Sequence, residues 1–188
     1  AVRTEPAAPP VPAGFGGLVT LPYWNAAQSP YWNPLARGAY VGLAGVHDRA
    51  ALYRSTLEGV SVAMARNLAG LESATGVPLQ EVTVAGGGRR SPLWRRIMAD
   101  AAGLPLVESL VEEASAMGAA AMAMAATGEF ASVEDAARSL ATRGPVTEPD
   151  PAAHAVYTDL GELQAEAYER LAPVFEAQHT FARRHPLA

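Results

Sequence analysis

The chain has 188 residues, 49% of them hydrophobic, and a formal net charge of −5. That length suits one domain, or one and a half, with a true core, and the acidic balance argues against nucleic acid as the main partner. All 14 basic residues are arginine and cysteine is absent, which excludes a lysine-dependent P-loop, Schiff-base chemistry, thiol catalysis, disulfides and cysteine-based metal sites.

Residues 1–17 carry Pro6, Pro9, Pro10 and Pro12 and read as an extended Pro/Ala-rich loop, not a signal peptide. A start without methionine in such a loop is expected of a fragment or excised domain, or of a processed chain. No apolar run reaches the roughly 18 residues that span a bilayer, so no membrane partner is expected and the cytoplasm is the expected location. Residues 18–23 and 38–43 are strand candidates. Between them, residues 25–37 form a loop rich in proline, asparagine and aromatic residues. Two of the three tryptophans, Trp24 and Trp32, lie in or beside it. Rings over C–H faces and amides toward hydroxyls suit a polyol, and the same residues suit a loop tacked onto the core. Arg37 fits a ligand contact and a structural contact equally.

A long helix is expected over 48–73, with Asp48 as N-cap and Gly76 as stop. Tyr53, Leu57, Val60, Met64, Leu68 and Leu71 step by three or four and predict one apolar face, with Glu58 and Arg66 pointing away from it. A strand over 81–85 then runs into Gly86, Gly87 and Gly88, and a helix over 92–102 follows, capped by Ser91 and ended by Gly103. Strand end, bare backbone and helix N-terminus meet at one point, which favours negative or polar ligand atoms, and the glycines alone fit a plain strand-to-helix turn without a ligand equally. Residues 104–110 are another strand candidate. The Ala/Met run from Glu113 to Gly128 reads as a buried helix, 132–142 as a helix, 143–151 as a loop, and the stretch from 153 or 158 to 183 as a final amphipathic helix. Strands alternating with helices imply an α/β layer architecture.

The chemistry is sparse. His47, His154, His179 and His185 are scattered without metal-ligand spacing. No Gly-x-Ser-x-Gly elbow exists. The glycine run does not fit Gly-x-Gly-x-x-Gly, because Ser91 stands where the last glycine would fall and Glu108 is the nearest acid beyond it. A dinucleotide fold is the weaker alternative.

Three blocks occur in order: Pro30-Tyr31-Trp32-Asn33-Pro34-Leu35-Ala36-Arg37-Gly38 followed by Leu57-Glu58-Gly59; Gly86-Gly87-Gly88-Arg89-Arg90-Ser91-Pro92-Leu93-Trp94 with Ala99-Asp100; and Glu113-Ala114-Ser115-Ala116-Met117-Gly118-Ala119-Ala120. Together they resemble the C-terminal half of the FGGY carbohydrate kinases, over roughly residues 17–130. The resemblance implies an actin-like ATPase (ribonuclease H-like) α/β lobe, a mixed sheet flanked by helices. It divides the chain into the loop 1–17, a nucleotide-binding lobe 18–145 and a C-terminal helical extension 146–188. It implies ATP and Mg²⁺ as cofactors and a sugar or polyol as substrate, xylulokinase-like in reaction type. Gly87 and Ser91 would take the main nucleotide contacts, with Gly86 and Gly88 keeping the backbone approachable. The family's Asp-x-Gly-Thr loop and catalytic aspartate are not among these residues. Catalytic groups are therefore expected from an N-terminal lobe of the same kinase, and the 188 residues alone are expected to be inactive. Asp100 reads as structural. The Pro-Tyr-Trp-Asn run is nearer glycerol kinase, which leaves the sugar open, and a homodimer is compatible with the pattern. The alternative is a non-catalytic ATP-binding sensor module or a decayed kinase remnant.

Overall fold

The computed structural model describes residues 11–186, so residues 1–10 of the expected N-terminal loop lie outside it. The central element is α1, Arg49–Thr75. Its start follows from Asp48, whose carboxylate accepts the Ala51 N–H at 2.9 Å, and its end from Gly76 at φ 69. Two small sheets lie around it. In one, β1 (Val19–Leu21) pairs antiparallel with β2 (Ala39–Val41). In the other, β3 (Val82–Val84) pairs parallel with β4 (Leu106–Ser109), and β4 pairs antiparallel with β5 (Arg143–Thr147). Helix α2, Pro92–Ala102, joins β3 to β4 as a β-α-β unit, with Ser91 and Gly103 as its caps. Helices α3, Ala114–Ala126, and α4, Val133–Leu140, pack on each other. The 34-residue α5, Pro151–Arg184, closes the molecule.

The core gathers where β1, α1, α2 and α5 meet. Leu21, Ile97, Leu57, Tyr157, Leu160, Tyr168 and Phe175 are all buried there. Gly59 sets the spacing: a Cβ on it would sit 2.5 Å from the Thr20 carbonyl oxygen. Only glycine lets α1 lie this close to the β1 backbone. Gln164 of α5 ties the layers together by donating to the Thr20 and Gly59 carbonyls, each at 2.9 Å. Asp100 holds the start of α5 by accepting the Asp150 N–H at 2.8 Å. Its burial raises its pKa above the ordinary carboxylate range.

Four expectations need correction. Glu58 does not point away from the core but is 2% exposed. It accepts from Arg54 Nε at 2.7 Å, the Tyr157 hydroxyl at 3.0 Å and Gly14 N–H at 3.1 Å. Three donors from three segments compensate the buried carboxylate. The single apolar stripe on α1 also gives way. Tyr53 and Leu71 are exposed, and Val60, Met64 and Leu68 are only half-buried. Burial instead wraps the first half of the helix through Ser55, Leu57, Glu58, Gly59, Ser61 and Val62, because β1, α2 and α5 pack on it from different sides. The Ala/Met helix α3 is not buried: Ala121 is its one fully buried residue. Residues 143–147 form a strand where a loop was expected.

Candidate functional site

The turn after β3 carries the four residues singled out from the sequence. Gly86 has φ 72 and ψ −156, a conformation essentially reserved for glycine. Gly87 is different. Its φ is not in the left-handed region, and a Cβ on it would meet nothing within 4 Å. Neither a left-handed backbone nor close packing requires glycine there. Gly88 rests on the Trp94 ring, where a Cβ would lie 3.4 Å from the indole. Residues 87–90 make one 3-10 turn. Ser91 then opens α2, its Oγ accepting the Trp94 N–H at 3.1 Å.

Parallel strands place ligands beyond their carboxyl ends, and the turn leaves β3 at that end. Glu108 of β4 stands in register beside Val84, the last residue of β3. Its carboxylate meets Arg89 at 3.1 Å and Arg95 at 3.5 Å. Arg95 also donates to the Arg89 carbonyl, and the other arm of Arg89 lies 3.9 Å from Glu112. The turn, the first turn of α2, β4 and the approach to α3 are thus joined at one cluster. Trp94 is held from behind, its Nε1 donating to Ser61 Oγ at 3.2 Å. Arg90, exposed on the same turn, has no carboxylate in reach among the described residues. Sequence reasoning found the glycines and the cap but missed this bracing set. The available signal was the β-α-β pattern, since parallel pairing of 82–84 with 106–108 brings Glu108 to the turn.

The aromatic loop divides into structural and open residues. Tyr31 stacks on Tyr168 at 3.7 Å between ring centroids, and its hydroxyl accepts from Arg66 at 2.6 Å. Asn33 donates to the Tyr168 hydroxyl at 3.0 Å. Arg37 donates to the Pro34 and Ala36 carbonyls at 3.0 and 2.8 Å, so it braces its own loop. Trp24 and Trp32 remain open, 48% and 73% exposed. The histidines do not converge on the turn. His47 takes the Ala44 N–H at 2.9 Å, and His154 contacts the Asp100 carbonyl at 2.9 Å. Among the described residues no group of three or more His, Asp or Glu side chains could hold a metal ion.

The sequence model of the FGGY family of carbohydrate kinases, C-terminal domain, matches residues 3–127. A glycerol kinase of Bordetella parapertussis is 36% identical over 115 residues, 61% of this chain and 23% of that protein. The crystal structure of xylulose kinase from Rhodospirillum rubrum superposes with a TM-score of 0.75 at 35% identity, covering 88% of this chain and 33% of that one. A ligand-bound xylulose kinase from Lactobacillus acidophilus gives a TM-score of 0.79 at 26% identity, covering 89% and 34%. The chain therefore spans between 23% and 34% of the length of these relatives. The shared architecture is the actin-like ATPase fold of these kinases, present as a partial domain.

Proposed function

Because this chain belongs to the FGGY family of carbohydrate kinases, we propose that it supplies the nucleotide-binding part of an ATP-dependent kinase acting on a sugar or polyol hydroxyl. The observation that carries this reading is the Gly86–Gly88 turn, open at the carboxyl end of β3 and bare at Gly87 for no internal reason. Transfer of a γ-phosphoryl group needs positioning, charge neutralisation and a base at the acceptor oxygen. This chain's part is the first. Gly87 lets the nucleotide reach the backbone, Gly86 bends the chain to present it, Gly88 seats the turn on Trp94, and Ser91 fixes the helix start that faces the phosphates. Arg90 adds a positive charge on the same surface.

The remaining functions fall to the other lobe of the kinase, against which this one would close around nucleotide and sugar. Mg²⁺ would arrive on the nucleotide phosphates; no described side-chain cluster is built to hold it. Glycerol, xylulose and gluconate kinases all stand among the relatives, which supports a sugar or polyol acceptor. No described helix is long and apolar enough to cross a membrane, and the cytoplasm, with its ATP, is the proposed site of action. A non-catalytic ATP sensor is not favoured, since the named relatives are kinases.

Gly87→Asp tests the assignment. A Cβ at this position meets nothing within 4 Å and needs no strained backbone, so folding should be preserved. A carboxylate facing phosphates costs several kcal/mol, so ATP affinity of the full-length protein should fall at least about tenfold with an unchanged melting temperature. Unchanged affinity would remove the turn from the nucleotide site.

A further inference from the structure

Glu108 has no place in the nucleotide contacts proposed above, yet it stands in register with the last residue of β3, where the turn begins. The β4–β5 ladder is irregular at this point: Val107 faces Val146 and Ser109 faces Arg143. Two residues of β5, Gly144 and Pro145, therefore oppose the single residue Glu108. Such bulges bend a strand and redirect a side chain, and they gather near functional sites. Gly144 makes the bulge tight, since a Cβ on it would lie 2.9 Å from the Glu108 carbonyl oxygen and 2.8 Å from Leu110. Pro145 has no N–H for the ladder. The Glu108 carboxylate, opposite this irregularity, is 14% exposed and lies between two guanidiniums that are 11% and 21% exposed.

Each arginine belongs to a different part of the turn. Arg89 sits within the 3-10 turn, two residues after Gly87, and Arg95 sits one helical turn after Ser91. One carboxylate thus fixes the turn and the helix start relative to each other, and both relative to β4. The contact from Arg95 to the Arg89 carbonyl closes the same loop through the backbone.

We infer that Glu108 is a positioning residue for the nucleotide turn: by holding Arg89 and Arg95 together it sets the geometry of Gly87 and Ser91, and leaves Arg90 as the guanidinium of that turn available to a phosphate. This rests on the turn being the nucleotide site. Glu108 acts through Arg89 and Arg95 on the turn, so its effect should fall on the nucleotide.

The test is Mg²⁺-ATP binding and steady-state kinetics on the full-length protein, comparing wild type, Glu108→Gln, Arg89→Gln, the double variant and Gly87→Asp. Glu108→Gln keeps shape and an acceptor oxygen but removes the charge that draws in both arginines. Its ATP affinity should fall roughly tenfold to a hundredfold, the scale on which groups that orient a binding residue act at metal sites. KM for ATP should rise in step, while kcat and KM for the sugar stay within about twofold. Arg89→Gln should add little in the Glu108→Gln background, because both act through one contact. Should Glu108→Gln fail to fold, Arg95→Gln, which removes the more exposed arm alone, should give a smaller shift in the same direction. ATP affinity within about twofold of wild type in Glu108→Gln or Arg95→Gln, with Gly87→Asp impaired, would overturn the positioning role and leave the nucleotide turn standing. Additive losses, or losses shared equally by kcat and both KM values, would reduce Glu108 to a general structural residue. Unimpaired binding in Gly87→Asp would overturn both.

Discussion

At the scale of single residues, small or charged positions on α1 govern more than its hydrophobic ones. Gly59 is the sharpest case, because a methyl group there would collide with main chain at Thr20 and not with a movable side chain. Gly59→Ala would ordinarily favour a helix. Here the clash forces α1 off β1, and the expected outcome is a net loss of about 1–3 kcal/mol in a denaturant titration. The loss should include the Gln164 bonds, which span that contact. None of this is legible in hydrophobic periodicity. A count of apolar steps gives Glu58 and Gly59 no role, since their partners Gly14, Tyr157 and Thr20 lie far away in the chain. The same holds at the candidate site. The glycines and Ser91 announce themselves by local chemistry, whereas Glu108 acquires meaning only when β4 is laid beside β3.

At the scale of elements, ends were readable and surroundings were not. Asp48 and Gly76 bound α1, and Ser91 with Pro92 and Gly103 bound α2, as expected from capping alone. Strand β5 was hidden because Gly144 and Pro145 speak for a loop, and the strand exists only through its pairing with β4. The composition of α3 correctly implied a helix but wrongly implied burial, since Ala121 is its one fully buried residue. Helix α5 poses the larger question of where the lobe ends. Division at residue 146 treats the rest as an extension, yet Tyr157, Leu160, Gln164, Tyr168 and Phe175 of α5 are all buried. Tyr168 stacks on Tyr31, and Tyr157 receives from Arg54 at 2.9 Å. Removing residues 151–188 should therefore abolish cooperative unfolding rather than trim an appendage. Circular dichroism melts of the truncated and intact chains would decide it, and a sharp transition in the truncated form would restore the extension.

For the whole molecule, buried phenols tie stability to alkaline pH. Burial first, and the neighbouring Tyr31 second, push the Tyr23 hydroxyl up to about 12 from its ordinary value of 10.0. Burial likewise raises Tyr31 and Tyr157. Groups raised in the folded state stabilise it fully below their unfolded pKa and lose that contribution as pH rises through the folded one. The protein should thus hold its stability up to about pH 10 and lose it progressively toward about pH 12. Tyrosinate absorbance from these rings should appear together with unfolding, and Tyr23→Phe should move the midpoint upward. Tyrosinate forming well before unfolding would show that the rings are open to hydroxide in the native state. The irregular strand β5 has a consequence of another kind. Within its sheet, β3 and β5 are the two outer strands. Pro145 takes one N–H donor out of β5, and exposed strand margins are often guarded by proline. Val82-Thr83-Val84 has no proline and no charge, and among the described residues it pairs only with β4. Recruitment of foreign strands through this sheet is thereby one-sided: two molecules joined β3 to β3 would present their guarded strands outward, and growth along that direction would stop at the pair.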